Sequence, residues 1–315
     1  MIIDILLLIV GLVLLAIGAD VLVRGGSSLA RHLGLTPLVV GLTVVAFGTS
    51  APEMVVSVGG AARGSGDIAI GNVVGSNIFN VGFILGLAAL CSPLIVKLGV
   101  LKLDVPIMIG VSVLGMGIVS TGVVSRLEGF LLILILTAYT VWSVRLAKKQ
   151  STVDIEQEFE QGIPKPTRSV RKDWLLIAGG LALLLVGSNL MLESAISLAR
   201  AAEISDAVIG LTIVAAGTSM PELASTLAAA LRKQSDIAIG NILGSNIFNI
   251  LGILGLSSLV KPLNASGIQP SDLWVMIALS VVALPLLWTG RTMQRWEGAL
   301  LLCGYIGYVW ARWPT

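Results

Sequence analysis

Two glutamates sit deep inside apolar stretches of this chain. Each closes the same six-residue pattern, Gly48-Thr-Ser-Ala-Pro-Glu53 and Gly217-Thr-Ser-Met-Pro-Glu222. A carboxylate in the middle of a membrane-spanning helix costs about 2.5–3.5 kcal/mol on insertion scales. The apolar stretches hold too little basic charge to neutralise it, so the natural partner is a bound cation. The flanking residues say how a cation would be held. Pro52 and Pro221 lack an N–H and obstruct a continuous helix. Gly48 and Gly217 loosen the same turn. A helix broken there frees carbonyls, which membrane depth tolerates only where they face protein or line a cavity. Carbonyls, hydroxyls and carboxylates are hard oxygen donors. Calcium takes six to eight of them at about 2.3–2.6 Å, and sodium accepts a similar set. Zinc, copper or iron would call for His or Cys. The single histidine, His32, is expected in a short loop, and Cys91 and Cys303 are not placed to serve.

A second pattern follows each glutamate. Asp67-Ile-Ala-Ile-Gly-Asn-Val-Val-Gly-Ser-Asn-Ile-Phe-Asn80 returns as Asp236-Ile-Ala-Ile-Gly-Asn-Ile-Leu-Gly-Ser-Asn-Ile-Phe-Asn249. It offers neutral oxygens. Asn80 falls three residues after Asn77 and four after Ser76, so these side chains share or border one helix face. Ser76 and Asn80, with Ser245 and Asn249, are the stronger candidates to face an ion. Asn72 and Asn77 suit packing and interhelical hydrogen bonds. Gly71 and Gly75 permit close helix approach.

The elements that must position these residues follow from composition. Of 315 residues, 56% are hydrophobic and 12% charged, with a mean hydropathy of +0.96. A soluble domain carries roughly 25% charge. Stretches such as Ile5 to Val23 and Leu38 to Ala62 approach the ~20 residues that cross a bilayer. The fold class is an all-α polytopic membrane protein. Ten transmembrane helices are expected near 3–23, 37–62, 68–92, 103–122, 127–147, 174–199, 206–231, 237–259, 272–290 and 296–312. The two motif sets recur at an offset of 169, and 24 of 41 positions are identical between 40–80 and 209–249. The chain is therefore one unit written twice: a five-helix repeat at 1–147, a linker at 148–173 and a second repeat at 174–315. An odd number of spans per copy makes the second enter the membrane from the opposite side, an inverted repeat. Five basic residues (Arg63, Arg126, Arg200, Lys261 and Arg312) fall on the face of the termini, and the other fifteen fall opposite. Positive charge marks the cytoplasm, so both termini are expected outside and the 148–173 linker inside.

Other polar residues have structural readings. Asp20 and Arg24 form an i,i+4 pair. Asp104, Asp272, Glu128 and Glu297 are expected to open helices, where a carboxylate suits the positive end of the dipole. The linker has an acidic run and then a basic run, without the spaced ligands of an EF-hand; it reads as solvated, with a basic end at anionic lipid. The first stretch lacks a basic start and a cleavage site, so it reads as a retained helix. A disulfide framework is not expected.

The paired Gly-Thr-Ser-x-Pro-Glu and Gly-Asn-x-x-Gly-Ser-Asn-Ile-Phe-Asn segments resemble the alpha repeats of the calcium/cation antiporter superfamily, nearest to its prokaryotic sodium/calcium exchanger branch. The resemblance covers nearly the whole chain. It implies a core of spans 2, 3, 7 and 8, with spans 1 and 6 long and tilted against it. It implies that Glu53 and Glu222 bind calcium and share the sodium ions. Thr49 and Thr218 would offer carbonyl and hydroxyl, and Ser50, Ser219, Ser76 and Ser245 hydroxyls. Ala46 and Ala215 would offer carbonyls, and Asn80 would be the central asparagine. Asn249 stands where some members have aspartate, leaving two carboxylates rather than three.

Two carboxylates match one calcium ion, whereas about three sodium ions, a number implied by the resemblance, would leave one positive charge over. The expected function is electrogenic, potassium-independent Na+/Ca2+ antiport at the cell membrane by alternating access. The alternative is an antiporter of protons and calcium or another divalent cation. A passive channel is a further reading. An enzyme is not expected: there is no His-Glu-x-x-His, and neither Ser50 nor Ser219 has a histidine base nearby. No cofactor is expected beyond the transported Ca2+ and Na+. The expected partners are those cations and the lipid bilayer, with no nucleic acid, and the functional unit is expected to be a monomer.

Overall fold

In the computed structural model, residues 2–148, 169–202 and 215–312 are described. The elements in order are α1 (Ile2–Leu33), α2 (Pro37–Thr49), α3 (Ala51–Ala62) and α4 (Gly66–Cys91). Then come β1 (Leu94–Ile95), α5 (Val100–Val119), β2 (Val123–Val124), α6 (Arg126–Lys148) and α7 (Val170–Ala201). After residue 214 follow α8 (Ala215–Thr218), α9 (Met220–Leu231), α10 (Ser235–Val260) and β3 (Leu263–Asn264). The last are α11 (Pro270–Trp288), β4 (Thr292–Met293) and α12 (Arg295–Arg312).

Among the described residues, seven helices are long and apolar enough to cross a membrane, and α2 with α3, bent by 49°, makes an eighth. Of the other expected spans, 206–231 begins outside the described residues, and α12 carries Arg295, Glu297 and Arg312 within its 18 residues. Of the expected 148–173 linker, 149–168 lie outside the described residues, and its end at 170–173 is instead the first turn of α7, capped by Ser169.

Burial sorts the helices. The most apolar stretch of α10 is wholly buried, whereas those of α1 and α7 are 22% and 28% buried. Thus α10 and α4 form the centre, while α1 and α7 lie at its flank. Those two long helices cross antiparallel, because Gly11 meets Gly187 and Gly18 meets Gly180. A Cβ at Gly11 would stand 2.8 Å from the Gly187 carbonyl oxygen, so only glycine permits this approach.

Two short strand pairs link the chain's early and late parts. β1 pairs antiparallel with β4 in the register Leu94 to Met293, and β2 with β3 in the register Val123 to Asn264. The helix starts at Glu128 and Glu297 form as expected. Each carboxylate accepts from a backbone N–H three residues earlier, Ser125 and Gln294, both at 2.7 Å.

Three local expectations are corrected. Helix α1 runs on from the expected end at 23 to Leu33, because the stretch Gly25–Ala30 is buried rather than exposed. His32 is therefore in its last turn, not in a loop, with Nδ1 2.5 Å from Asp173 Oδ2 of α7. Asp104 does not open α5: the helix starts at Val100, and Asp104 is buried at the end of a π-helical turn, Val100–Asp104.

Candidate ion-binding site

The break predicted beside each proline is present. Ser50 leaves the helical region, with φ −79° and ψ 12°, between α2 and α3. Ser219 does the same, at −88° and 13°, between α8 and α9. Pro52 and Pro221 lie in the first turns of the helices that restart there, where a missing N–H is no loss. Glu53 and Glu222 lie in those same first turns, at the positive ends of α3 and α9. Pro221 also denies the Gly217 carbonyl its helical donor. Ser188 of α7 supplies one instead, at 2.8 Å.

The two breaks meet, each completing the other. Ser50 Oγ donates to Glu222 Oε1 at 2.7 Å, and Ser219 Oγ donates to Glu53 Oε1 at 2.7 Å. Ser219 also lies 3.4 Å from Ser76 Oγ of α4. Thr49 Oγ1 donates to Asn241 Oδ1 at 3.2 Å and approaches the Ala46 carbonyl at 3.3 Å. That carbonyl already accepts the Ser50 N–H at 3.1 Å. Ala215 opens α8. Glu53, Glu222, Thr49, Thr218, Ser50, Ser219, Ser76, Ser245, Asn80 and Asn249 are all buried. Among the described residues, neither glutamate has a basic partner.

The asparagines form a reciprocal lattice between α4 and α10. Asn80 Nδ2 donates to Asn246 Oδ1 at 3.0 Å, and Asn249 Nδ2 to Asn77 Oδ1 at 2.9 Å. Asn77 Nδ2 in turn reaches the Asn246 carbonyl at 3.3 Å. With their amide nitrogens engaged, Asn80 and Asn249 have their side-chain oxygens left over. A π-helical turn starts at each, Asn80–Leu85 and Asn249–Leu254, a device common at functional sites.

Five buried oxygens here lack a hydrogen-bond partner among the described residues: Glu53 Oε2, Glu222 Oε2, Asn80 Oδ1, Asn249 Oδ1 and Ser245 Oγ. Buried polar atoms are rarely left so. Two carboxylates buried together also repel strongly at low dielectric. A cation answers both costs at once. All the donors are oxygens, and among the described residues no group of three or more His, Cys, Asp or Glu could hold a softer metal.

Asn72 makes the interhelical bonds expected of it, donating from Nδ2 to the Glu53 carbonyl at 3.1 Å and to Ser57 Oγ at 2.9 Å. Asn241 and Ser188 were not singled out from sequence. Asn241 reaches the Glu222 carbonyl at 3.4 Å, and Ser225 and Thr226 at 2.9 Å. The two asparagines pin the helices that carry the glutamates. Their equivalent places in the two repeated motifs were the available signal. Ser188 had none, because the equivalent position in α1 is Ala19.

Apolar helices around a buried, oxygen-only centre with two carboxyl groups define a multi-pass membrane transporter of cations. A family model described as "Sodium/calcium exchanger protein" matches residues 3–145 and 172–313. The chain belongs to that family, a group of membrane antiporters. It is similar to the sodium/calcium exchanger MaX1 of Methanosarcina acetivorans, at 35% identity over 98% of this chain and 97% of that one. It is 39% identical to the inner membrane protein YrbG of Escherichia coli, over 98% and 96% of the two chains. The solved structure of the sodium-calcium exchanger NCX_Mj, soaked with Na+ and Ca2+, superposes with a TM-score of 0.85 at 33% identity, covering 100% of both chains.

Proposed function

We propose that this chain exchanges Ca2+ for Na+ across the cell membrane by alternating access, electrogenically and without K+. The observation that carries the reading is the set of five orphaned buried oxygens around Glu53 and Glu222. They supply the hard donors that both ions use, next to two negative charges that one Ca2+ balances. MaX1 and NCX_Mj are themselves named as sodium/calcium exchangers. Calcium and about three sodium ions compete for overlapping oxygens, so they bind in turn. An empty site would leave two bare carboxylates at membrane depth, a cost that opposes switching without cargo.

The site residues of this reading are Glu53, Glu222, Thr49, Thr218, Ser50, Ser219, Ser76, Ser245, Asn80 and Asn249, with the carbonyls of Ala46 and Ala215. Ten spans form two inverted five-helix repeats, 1–147 and 174–315. The antiparallel crossing of α1 and α7 supports this, since Gly11 and Gly180 occupy equivalent places in the two copies. Basic charge favours termini outside and a cytoplasmic 148–173 linker. The unit acts as a monomer and needs no cofactor.

The test is calcium-45 uptake into proteoliposomes, with sodium, proton and potassium gradients set separately. An outward sodium gradient should drive uptake at constant pH without potassium. Uptake should quicken at an inside-positive potential, because about three Na+ leaving for one Ca2+ moves positive charge outward. Glu53→Gln should abolish it. Uptake driven by a proton gradient and indifferent to sodium would replace this reading with H+/Ca2+ antiport.

A further inference from the structure

Beyond the ion site, an apolar groove of about 640 Å³ runs between α3 and the end of α10. Met54, Val55 and Val58 form one wall and Leu256, Leu259 and Val260 the other. Val55 is 71% exposed and Val260 46%. Three cations gather at its rim. Arg63 caps α3 and folds back over Gly59. Lys261 follows α10, and its Nζ stands 2.8 Å from where a Cβ on Gly64 would be. Arg126 Nη2 donates to the Val260 carbonyl at 3.2 Å. None of the three has a carboxylate partner among the described residues.

The equivalent surface at the other end of the 169-residue offset is built differently. There α1 packs along α9, with Ala224 and Ala228 against the cluster that holds Leu15, Ala19 and Leu22. Arg232, the equivalent of Arg63, pairs with Asp20. The α9 wall of that surface is therefore packed and its cation neutralised, while Leu90 and Cys91 at the end of α4 stay exposed. In the other, α7 makes no extended packing along α3 among the described residues, and the cations stand unpaired.

We propose that this groove binds an anionic phospholipid, with an acyl chain between α3 and α10 and the phosphate on Arg63, Arg126 and Lys261. The wholly apolar walls match hydrocarbon. The unpaired cations match a phosphate and leave a zwitterionic headgroup at a disadvantage, since basic pockets between helices select anionic lipid. A lipid seated there bridges α10 to the helix whose first turn carries Glu53, so it braces one wall of the site. The assignment does not depend on which ions the site exchanges.

Native mass spectrometry of the delipidated full chain in neutral detergent tests it, with dioleoyl phosphatidylglycerol or dioleoyl phosphatidylcholine added. The expected result is retention of phosphatidylglycerol in preference to phosphatidylcholine. Arg126→Gln with Lys261→Gln should cut that preference by about fivefold for each cation removed, at about 1 kcal/mol per basic residue near the headgroup. Val55→Trp, which fills the groove, should reduce occupancy by both lipids while the protein stays monodisperse. Equal retention of the two lipids, or a preference unchanged in the double variant, would overturn the proposal. A dimer that Val55→Trp dissolves would overturn it as well and assign the groove to a second copy of the chain.

Discussion

Ser50 and Glu222 lie 172 positions apart, yet the Ser50 hydroxyl donates to the Glu222 carboxylate at 2.7 Å. Ser219 and Glu53 make the same bond in the opposite sense, also at 2.7 Å. Each broken helix thus contributes a carboxylate and steadies the carboxylate of the other. The hydroxyl protons point at the glutamates, which leaves the serine lone pairs facing outward as donors for a cation.

Ser50→Ala and Ser219→Ala should each weaken apparent calcium affinity, by about 1.5–3 kcal/mol if each bond has the usual worth of one to a charged group. Combined with Glu222→Gln, Ser50→Ala should cost little more than Glu222→Gln alone, because both act on one bond. Equilibrium binding of calcium-45 to the purified chain over a calcium series checks this, since it needs no turnover. Full additivity would mean that the two side chains act separately.

Asn249→Asp adds a third carboxylate to a centre balanced for two. One Ca2+ no longer neutralises it, and a monovalent cation is required beside the calcium. Uptake by this variant should be stimulated by potassium at fixed sodium, whereas the parent chain should be indifferent. Identical potassium curves for the two would separate site charge from ion coupling.

Asn77 holds the amide of Asn249 at 2.9 Å and reaches across to the Asn246 carbonyl. Asn77→Ala leaves Asn249 free to turn its side-chain oxygen away. Partners that orient a ligand typically carry 10–100-fold in metal affinity, so the KM for calcium should rise by about tenfold or more while the maximal rate changes less. A fall in maximal rate with KM unchanged would count against an orienting role.

Ser188→Ala removes the hydroxyl that serves the Gly217 carbonyl, which Pro221 leaves without a helical donor. A buried acceptor stranded in this way costs about 1–3 kcal/mol. Thermal unfolding in detergent should shift down by several degrees, at about 2–4 °C per kcal/mol in a large domain. Ser188→Thr, which keeps the hydroxyl, should recover most of the loss. An unchanged midpoint for the alanine variant would show that another donor takes over.

What sequence reveals here is what local chemistry decides. Pro52 and Pro221 dictate the breaks at Ser50 and Ser219, since a missing N–H acts within one turn. Glu128 and Glu297 announce helix starts for the same reason. The π-helical turns at Asn80 and Asn249 were not legible, because they depend on what α4 and α10 present to each other. Nor was the place of His32, since the extension of α1 to Leu33 depends on burial of Gly25–Ala30. Asp104 was misplaced by the same kind of shift, a helix starting at Val100 rather than 103. Asn241 was legible in principle, as the repeat equivalent of Asn72, but its bonds to Ser225 and Thr226 need the hairpin of α9 and α10 to exist first.

The crossed strand pairs carry a consequence for how such a duplicated chain can diverge. β1 is the repeat equivalent of β3 yet pairs with β4, and β2 pairs with β3. Like the serine–glutamate bonds, every such pairing spans the two copies. A change tolerated in one copy must therefore suit the other as well, and neither can drift alone. The stretches 40–80 and 209–249, identical at 24 of 41 positions, hold the serine–glutamate and asparagine bonds in which that mutual dependence is most direct.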